Sequence, residues 1–187
     1  MKTKQISLFA TDKMQAPTHI LTGVLLQKLF DSKRHQTVAQ IITALACYFS
    51  HGLLDKLAMA TYHPPVADFS DVFWVLYHLA VLLITVLLLY VYGSEYKWAI
   101  ALALLPDLDW VVVHSQHLFH FDIPFYNEPL LHNALHYIID NTPGLQLLNN
   151  LPDYRELYSA CIVEILLGLG ILSAVKALAQ RRRNIHF

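Results

Sequence analysis

A chain of 187 residues in which 56% are hydrophobic and only 14% are charged is more apolar than ordinary soluble domains, and its mean hydropathy is +0.42. This composition predicts one membrane-embedded domain. The formal net charge of -1 excludes a general attraction to nucleic acid, since no long basic stripe exists beyond Arg181, Arg182 and Arg183. Cys47 and Cys161 lie in apolar runs and are too few for a disulfide framework.

The chain begins with a polar arm, 1–16, that contains no apolar stretch long enough for a secretory signal core. The next run, 17–30, is apolar and has Pro17 in its first turn, where a helix tolerates proline. It is too short to cross a bilayer, so we expect a half-helix that dips into a bundle. Residues 17–180 are predicted to form a single membrane-embedded helical domain, and 181–187 a basic cytoplasmic tail.

Four later stretches are predicted to be transmembrane helices, because a helix needs about 20 mostly apolar residues to cross a hydrocarbon core of roughly 30 Å. They are residues 37–54, 72–92, 98–113 and 157–179. Within the connection 114–156, the apolar stretch 130–139 is expected to form a helix outside the spans, against the bundle or the membrane surface. The predicted fold class is therefore all-α, a polytopic membrane helix bundle of about four spans plus the half-helix.

Basic residues predict the orientation of these spans, because cytoplasmic loops are enriched in lysine and arginine. With Lys33 and Arg34 in the cytoplasm, alternation of the spans places Lys97 and the terminal arginines on the same side. Only Lys56 and Arg155 then remain in the outer connections. We therefore expect an integral membrane protein whose core loops and C-terminal tail lie in the cytoplasm.

Two pairs of side chains have the spacing of metal ligands on a helix. His51 and Asp55 lie four residues apart, as do His132 and His136, which places each pair on one helix face. Asp140 continues the second series, roughly 12 Å from His132 along the helix. We expect it to serve a second ion or to hydrogen-bond a ligand.

Two aspartates interrupt the third predicted span. Each carboxylate costs about 2.5–3.5 kcal/mol at a helix centre, so Asp107 and Asp109 require compensation, which a divalent cation supplies. Pro106 directly before them predicts a helix break that turns both carboxylates inward. With the spans alternating, these aspartates, the two pairs and His19 share the outer side of the membrane. The mixed imidazole and carboxylate set favours Zn, Mn or Fe.

Four short motifs resemble those of the membrane-bound metal-dependent hydrolases, multi-span inner-membrane proteins related in pattern to zinc-dependent phospholipases. The motifs are Thr18-His19, His51-Gly52-Leu53-Leu54-Asp55, Pro106-Asp107-Leu108-Asp109 and His132-Asn133-Ala134-Leu135-His136. The His51 motif comes before the Pro-Asp-Leu-Asp motif here, an order that differs from the family's. The resemblance implies metal ligands or their close supports at His19, His51, Asp55, Asp107, Asp109, His132 and His136. It also implies that the protein lies in a bacterial inner membrane.

The leading interpretation is a hydrolase that cleaves an ester or phosphoester with metal-activated water, with Zn as the first expectation and one or two ions bound. Asp55 or Asp109 is predicted to accept a proton from the water, and His136 to protonate the leaving group. Because the ligands are expected near the interface, membrane lipids are the expected partners and a lipid or lipid-linked compound the expected substrate. No nucleic-acid partner is expected.

Two alternatives stay open at the level of sequence. A membrane cytochrome would place histidines such as His51 and His78 on haem iron, although haem needs no aspartate pair. A divalent-metal or proton carrier also uses ionisable groups inside the membrane, but its ligands usually lie at the midplane. His78, His114 and Glu164 are either further site residues or partners for neighbouring helices.

Overall fold

The structure is a computed structural model that describes residues 14–31, 36–64 and 68–185, without the side chains of His117, Arg182, Arg183 and Ile185. In this part of the chain every regular element is helical, as predicted. The helices are α1 (Ala16–Phe30), α2 (Gln36–Leu57), α3 (Val72–Phe119), α4 (Leu130–Asn141) and α5 (Cys161–Ile185), with short 3₁₀ turns at Ala58–Ala60, Leu145–Asn150 and Tyr158–Ala160. Most of the predicted N-terminal arm, the loop with Lys33 and Arg34, and the end of the tail lie outside the described residues.

By length and composition, three of the described helices are suited to crossing a membrane: Gln36–Ala60, Val72–Gln116 and Tyr158–Arg181. The sequence predicts four spans, and the difference lies in α3, which contains the second and third of them. At 48 residues α3 would be about 72 Å long if straight, more than twice a hydrocarbon core. Tyr96 divides it with non-helical angles, φ −113° and ψ 21°, into two arms, 72–95 and 97–119.

The first arm of α3 runs beside α5 in the same direction. Tyr77 donates a hydrogen bond to Glu164 near the start of α5, and Leu88 joins a core cluster with Val175 further along it. α1 runs parallel to both, because Thr18 near its start hydrogen-bonds Glu164 and its middle belongs to the same cluster. The first arm, α1 and α5 therefore form one parallel layer.

The second arm of α3 runs the opposite way. Lys28 near the end of α1 donates a hydrogen bond of 2.5 Å to Tyr96, whereas Ala99 and Ala103 lie against Gly23 in the middle of α1. The chain therefore turns back at Tyr96. Each arm is about 35 Å long, which is the length of a membrane span.

The sequence predicts a helix break at Pro106. This prediction is wrong, because α3 continues through the proline. Proline has no N–H to donate to the carbonyl four residues earlier, here that of Leu102, and transmembrane helices tolerate this loss. In the turn before Pro106, the Ala103 carbonyl accepts a hydrogen bond of 2.7 Å from His51 Nδ1. Asp107 and Asp109, which follow Pro106, therefore lie on a continuous helix.

The predicted half-helix, α1, forms the centre of the bundle. It contacts α2, α3 and α5, and its residues Ile20, Leu21 and Val24 belong to the main core cluster. A Cβ atom on Gly23 would lie 2.9 Å from the Ala99 carbonyl oxygen, so glycine allows α3 to approach. Because neighbours cover α1, the polar side chain of His19 near its start is buried as well.

Candidate metal centre

One carboxylate, Asp55, lies at the centre of four imidazoles. Its Oδ2 atom is 3.1 Å from His51 Nε2, 3.6 Å from His136 Nε2 and 3.8 Å from His132 Nδ1. Its Oδ1 atom is 3.4 Å from His19 Nε2. The structure therefore brings together five of the seven predicted ligands, from α1, α2 and α4.

Helix geometry places these side chains. His51 and Asp55 lie one turn apart on α2, and His132 and His136 lie one turn apart on α4, where their rings stack with centroids 4.4 Å apart. The His19 ring of α1 stacks on the His51 ring at 4.0 Å. The four-residue spacings in the sequence thus predict the two pairs, and the packing of three helices joins them.

Several atoms of this cluster lack the hydrogen bonds that burial normally demands. His19 Nε2, His51 Nε2, His136 Nε2 and Asp55 Oδ2 are buried, and in the described part of the chain none makes a hydrogen bond of normal geometry. Such atoms are costly unless something else binds them. Nitrogen and oxygen atoms that converge in this way have the spacing to hold a cation.

The spacing of the atoms fits metal coordination. Two ligand atoms each 2.0–2.1 Å from a tetrahedral zinc ion are about 3.3 Å apart. The described residues contain two groups whose ligand atoms lie within 4.8 Å of one another, one of His19, His51 and Asp55, and one of Asp55, His132 and His136. Because the groups share Asp55, the cluster has the donors for one ion or for two ions bridged by this carboxylate.

Backbone groups hold two of the ligands in place. The Met14 N–H donates to Asp55 Oδ1 at 3.0 Å. His51 Nδ1 donates a hydrogen bond to the Ala103 carbonyl, which orients the ring so that Nε2 faces Asp55. Neither contact has a signal in the sequence, since both depend on which helices become neighbours.

Asp107 lies at the edge of the cluster. Its Oδ1 atom is 3.7 Å from His51 Nε2. Exposure rises across the cluster in this direction: the side chains of His19, His51 and Asp55 are 0% exposed, against 10% for His132, 21% for His136 and 27% for Asp107. The cluster therefore has a closed half on α1 and α2 and an open half toward α4 and Asp107.

Asp109 has a contact that the sequence did not predict. Its Oδ2 atom accepts hydrogen bonds from the backbone N–H groups of Leu131 and His132, the latter at 2.9 Å. These N–H groups belong to the first turn of α4, which has no carbonyl partners for them within the helix. Asp109 thus caps α4 from α3, and it belongs to neither ligand group in the described residues.

The remaining candidates lie apart from the cluster or beside it. His78 Nδ1 bonds the Trp74 carbonyl at 2.8 Å, and Asp140 pairs with Lys56 at 2.6 Å. His114 lies against the Trp110 ring, with centroids 5.6 Å apart.

Gly52 is a further residue that sequence reasoning missed. A Cβ atom there would lie 2.4 Å from Ile139 Cδ1 and 2.8 Å from Leu135 Cγ, so glycine lets α4 approach α2. Its position directly after His51 was the available clue, because glycine inside a helix usually marks a close approach.

Neither a family model nor a curated protein nor a solved structure matches the chain. The resemblance to membrane-bound metal-dependent hydrolases therefore stays a prediction from the motifs. What can be said of the centre comes from its geometry: buried histidine and aspartate groups with the spacing to hold a metal ion.

Proposed function

We propose that the protein is a membrane-embedded, metal-dependent hydrolase that cleaves an ester or phosphoester. The observation that carries this proposal is the Asp55 carboxylate surrounded by four imidazoles whose distances to it are 3.1–3.8 Å. Ionisable groups inside a membrane helix are costly, so a cluster of this size requires a function or a bound ion to compensate it.

The donor set suits Zn first, with Mn and Fe as alternatives. Imidazole binds all three metals, and a carboxylate among the imidazoles completes a set of N and O donors. Thiolate is not part of the set, because Cys47 packs with Ala99 and Ala103 in an apolar cluster. A bound divalent cation of this kind supplies an activated water near neutral pH and polarises the bond to be cleaved.

The proposed role of each side chain follows from how exposed it is. Asp55 is enclosed and acts as a ligand, held by the Met14 N–H. His136 and Asp107 lie at the open half, where a substrate can reach them. They are the groups in position to accept a proton from the water and to deliver one to the leaving group. Asp109 positions α4, and through it both His132 and His136.

We further propose that the cluster faces the outer side of a bacterial inner membrane. Lys28 and Lys97 lie at the turn of α3, and Arg181 follows near the end of α5. These basic residues are at the opposite end of the bundle from Asp55. Because lysine and arginine favour the cytoplasmic side, their position supports an outward-facing cluster.

Metal content tests the proposal directly. Detergent-purified wild type is expected to contain Zn, Mn or Fe in stoichiometric amount by elemental analysis. Asp55→Asn is expected to lose it, and Asp140→Asn, which changes an aspartate paired with Lys56, is expected to keep it. Hydrolysis of chromogenic phosphoesters and carboxyl esters should follow the metal. Metal-free wild type would refute the proposal, a coloured protein would support the haem alternative, and metal uptake into vesicles without hydrolysis would support a carrier.

A further inference from the structure

α4 has apolar side chains on its outer face as well as its inner face. Leu135 and Ile139 are buried against α2, while Tyr137 on the outer side is 71% exposed. Leu130, Leu131 and Ile138 also have exposed side chains. These exposed side chains form an apolar strip next to a polar side that carries Asn133, His136 and Asp140, and such a strip favours apolar surroundings.

The first turn of α4 lies beside the middle of α2 and of the second arm of α3, not at their ends. Asp109, which caps this turn, comes ten residues before the end of α3 at Phe119, or about 15 Å along the helix. On the other side, Tyr48 Oη donates to the Leu131 carbonyl at 2.7 Å, nine residues before α2 ends at Leu57. The start of α4 is thus wedged between two helices rather than resting on their ends.

The segment that leads from α3 to α4 is bonded by a buried side chain. Gln116 Oε1 accepts from the Ile123 N–H at 2.5 Å, and Gln116 Nε2 donates to the Tyr126 carbonyl at 2.7 Å. Non-helical backbone inside a membrane is tolerated where protein groups satisfy it. Within this segment the Phe125 side chain is 93% exposed, which is unusual for a loop in water.

The outer face of α4 continues the apolar surfaces of the candidate spans. Leu45 and Phe49 on α2 and Leu108 and Val111 on α3 have exposed side chains. Leu131 lies between these two surfaces, because Tyr48 bonds its carbonyl and Asp109 bonds its N–H. Lipid acyl chains are the natural contact for a continuous apolar surface on membrane-spanning helices.

We propose that α4 is a re-entrant helix embedded in the leaflet that contains the Asp55 cluster, and that the substrate is a long-chain amphiphile that reaches the cluster sideways from this leaflet. The open half supports this route: Leu108 follows Asp107, and Tyr137 follows His136. An ester or phosphoester close to a lipid headgroup would reach Asp107 and His136 without leaving the membrane. The substrate class rests on the proposed function, whereas the position of α4 does not.

The position of α4 is tested with single fluorescent labels in reconstituted vesicles. In a Cys161→Ser background, labels at Tyr137→Cys, Leu82→Cys and Glu156→Cys report on α4, the first arm of α3 and the exposed segment before α5. We expect brominated lipids to quench the labels at 137 and 82, and aqueous iodide to quench the label at 156. Quenching of 137 by iodide alone, as at 156, would overturn the embedded helix.

The route is tested by comparing one scissile ester with a long and a short acyl chain. In vesicles, we expect kcat/KM for the long-chain ester to be higher by about tenfold or more, because burying two methylene groups already corresponds to that ratio. Equal values would overturn lateral access while leaving a hydrolase. If metal-loaded protein cleaved neither chain length, whether offered as a carboxyl ester or as a phosphoester, the proposed function and the substrate class would be overturned, and the quenching result would still decide the position of α4.

Discussion

The two halves of the Asp55 cluster are held in different ways. The closed half, His19, His51 and Asp55, comes from α1 and α2, and its side chains are fully buried. The open half, His132 and His136, comes from the short α4 and is partly exposed. The closed half therefore has its donor atoms enclosed by protein, whereas the open half is the side on which the proposed substrate would approach.

The supports of the halves differ accordingly. The closed half is fixed by hydrogen bonds to backbone groups, Met14 N–H and the Ala103 carbonyl, inside the packed bundle. The open half depends on two contacts of α4, the cap from Asp109 and the close approach at Gly52. Contacts of these kinds affect a ligand indirectly, so their loss is expected to weaken metal binding rather than abolish it.

The largest expected difference is between ligands of the two halves. His51→Ala removes a buried ligand and should lower zinc affinity by more than the roughly 10–100-fold that outer contacts contribute. His136→Ala should lower it less, because water can occupy the position of this partly exposed imidazole. Competition with a chelator measures both affinities. His78→Ala is the control, since the described hydrogen bond of His78 goes to the Trp74 carbonyl and not to the Asp55 cluster. Equal losses for His51→Ala and His136→Ala would remove the distinction between the halves.

The second prediction concerns the cap on α4. Asp109→Ala leaves the Leu131 and His132 N–H groups without their acceptor and should destabilise the protein by about 0.5–2 kcal/mol. Because α4 holds His132 and His136, zinc affinity should also fall by roughly 10–100-fold.

Asp71 offers a matched control for this prediction. Its side chain accepts from the Phe73 N–H at the start of α3, at 2.9 Å, away from the cluster. Asp71→Ala should have a similar effect on thermal unfolding and leave zinc affinity unchanged. A drop in zinc affinity with both variants would show that unfolding, and not the position of α4, is responsible.

The third prediction tests the close approach of α4. Gly52→Ala places a Cβ 2.4 Å from Ile139 Cδ1, and overpacking of this kind costs about 1–3 kcal/mol. The thermal unfolding midpoint in detergent should fall, together with zinc affinity. Gly168→Ala is the comparison, since a Cβ there meets no atom within 4 Å, and alanine favours a helix by about 1 kcal/mol over glycine. Tolerance of both alanines would contradict a tight contact at Gly52.

The smallest effect is expected at the ion pair of Lys56 and Asp140. Burial raises the pKa of Asp140, but the hydrogen bonds from Lys56 and Asn149 outweigh it and hold this pKa below its ordinary value of 3.8. A depressed carboxyl pKa stabilises the fold above the ordinary value and loses that contribution as the pH falls through the depressed one. Since the Asp140 side chain is 39% exposed, Lys56→Met should cost at most about 1 kcal/mol near pH 7.

Thermal unfolding at several pH values checks this pair. The difference between wild type and Lys56→Met should be present at neutral pH, decline as the pH falls below 3.8, and disappear once the pH lies below the depressed pKa of Asp140 in the folded chain. A difference that is constant with pH would assign the effect to packing of the Lys56 side chain.

The elements themselves were largely predictable, because their signals are local. The apolar run with Pro17 in its first turn predicts α1, and the stretch 130–139 predicts α4. The four-residue spacing predicts that His51 pairs with Asp55, since helix periodicity alone sets which side chains share a face. Sequence also identified five side chains that the fold brings to one cluster.

The position of the turn in α3 was predicted from the sequence, because the predicted spans 72–92 and 98–113 leave a connection around Tyr96, where the chain reverses. The second predicted break, at Pro106, is absent, and the contacts that form the turn have no signal in the sequence. There Lys28 of α1 and the neighbouring Glu95 both hydrogen-bond the Tyr96 hydroxyl. A contact between residues so far apart in the chain leaves no periodic trace in the sequence.

By itself the sequence determined an apolar, all-helical chain and the faces on which its histidines and carboxylates lie, because those properties follow from composition and from 3.6 residues per turn. Only the tertiary structure decided that Asp55 is the shared centre and that Asp109 caps α4. Those roles depend on which helices pack together, and both aspartates have the same chemistry until a neighbouring helix supplies either lone pairs or N–H groups.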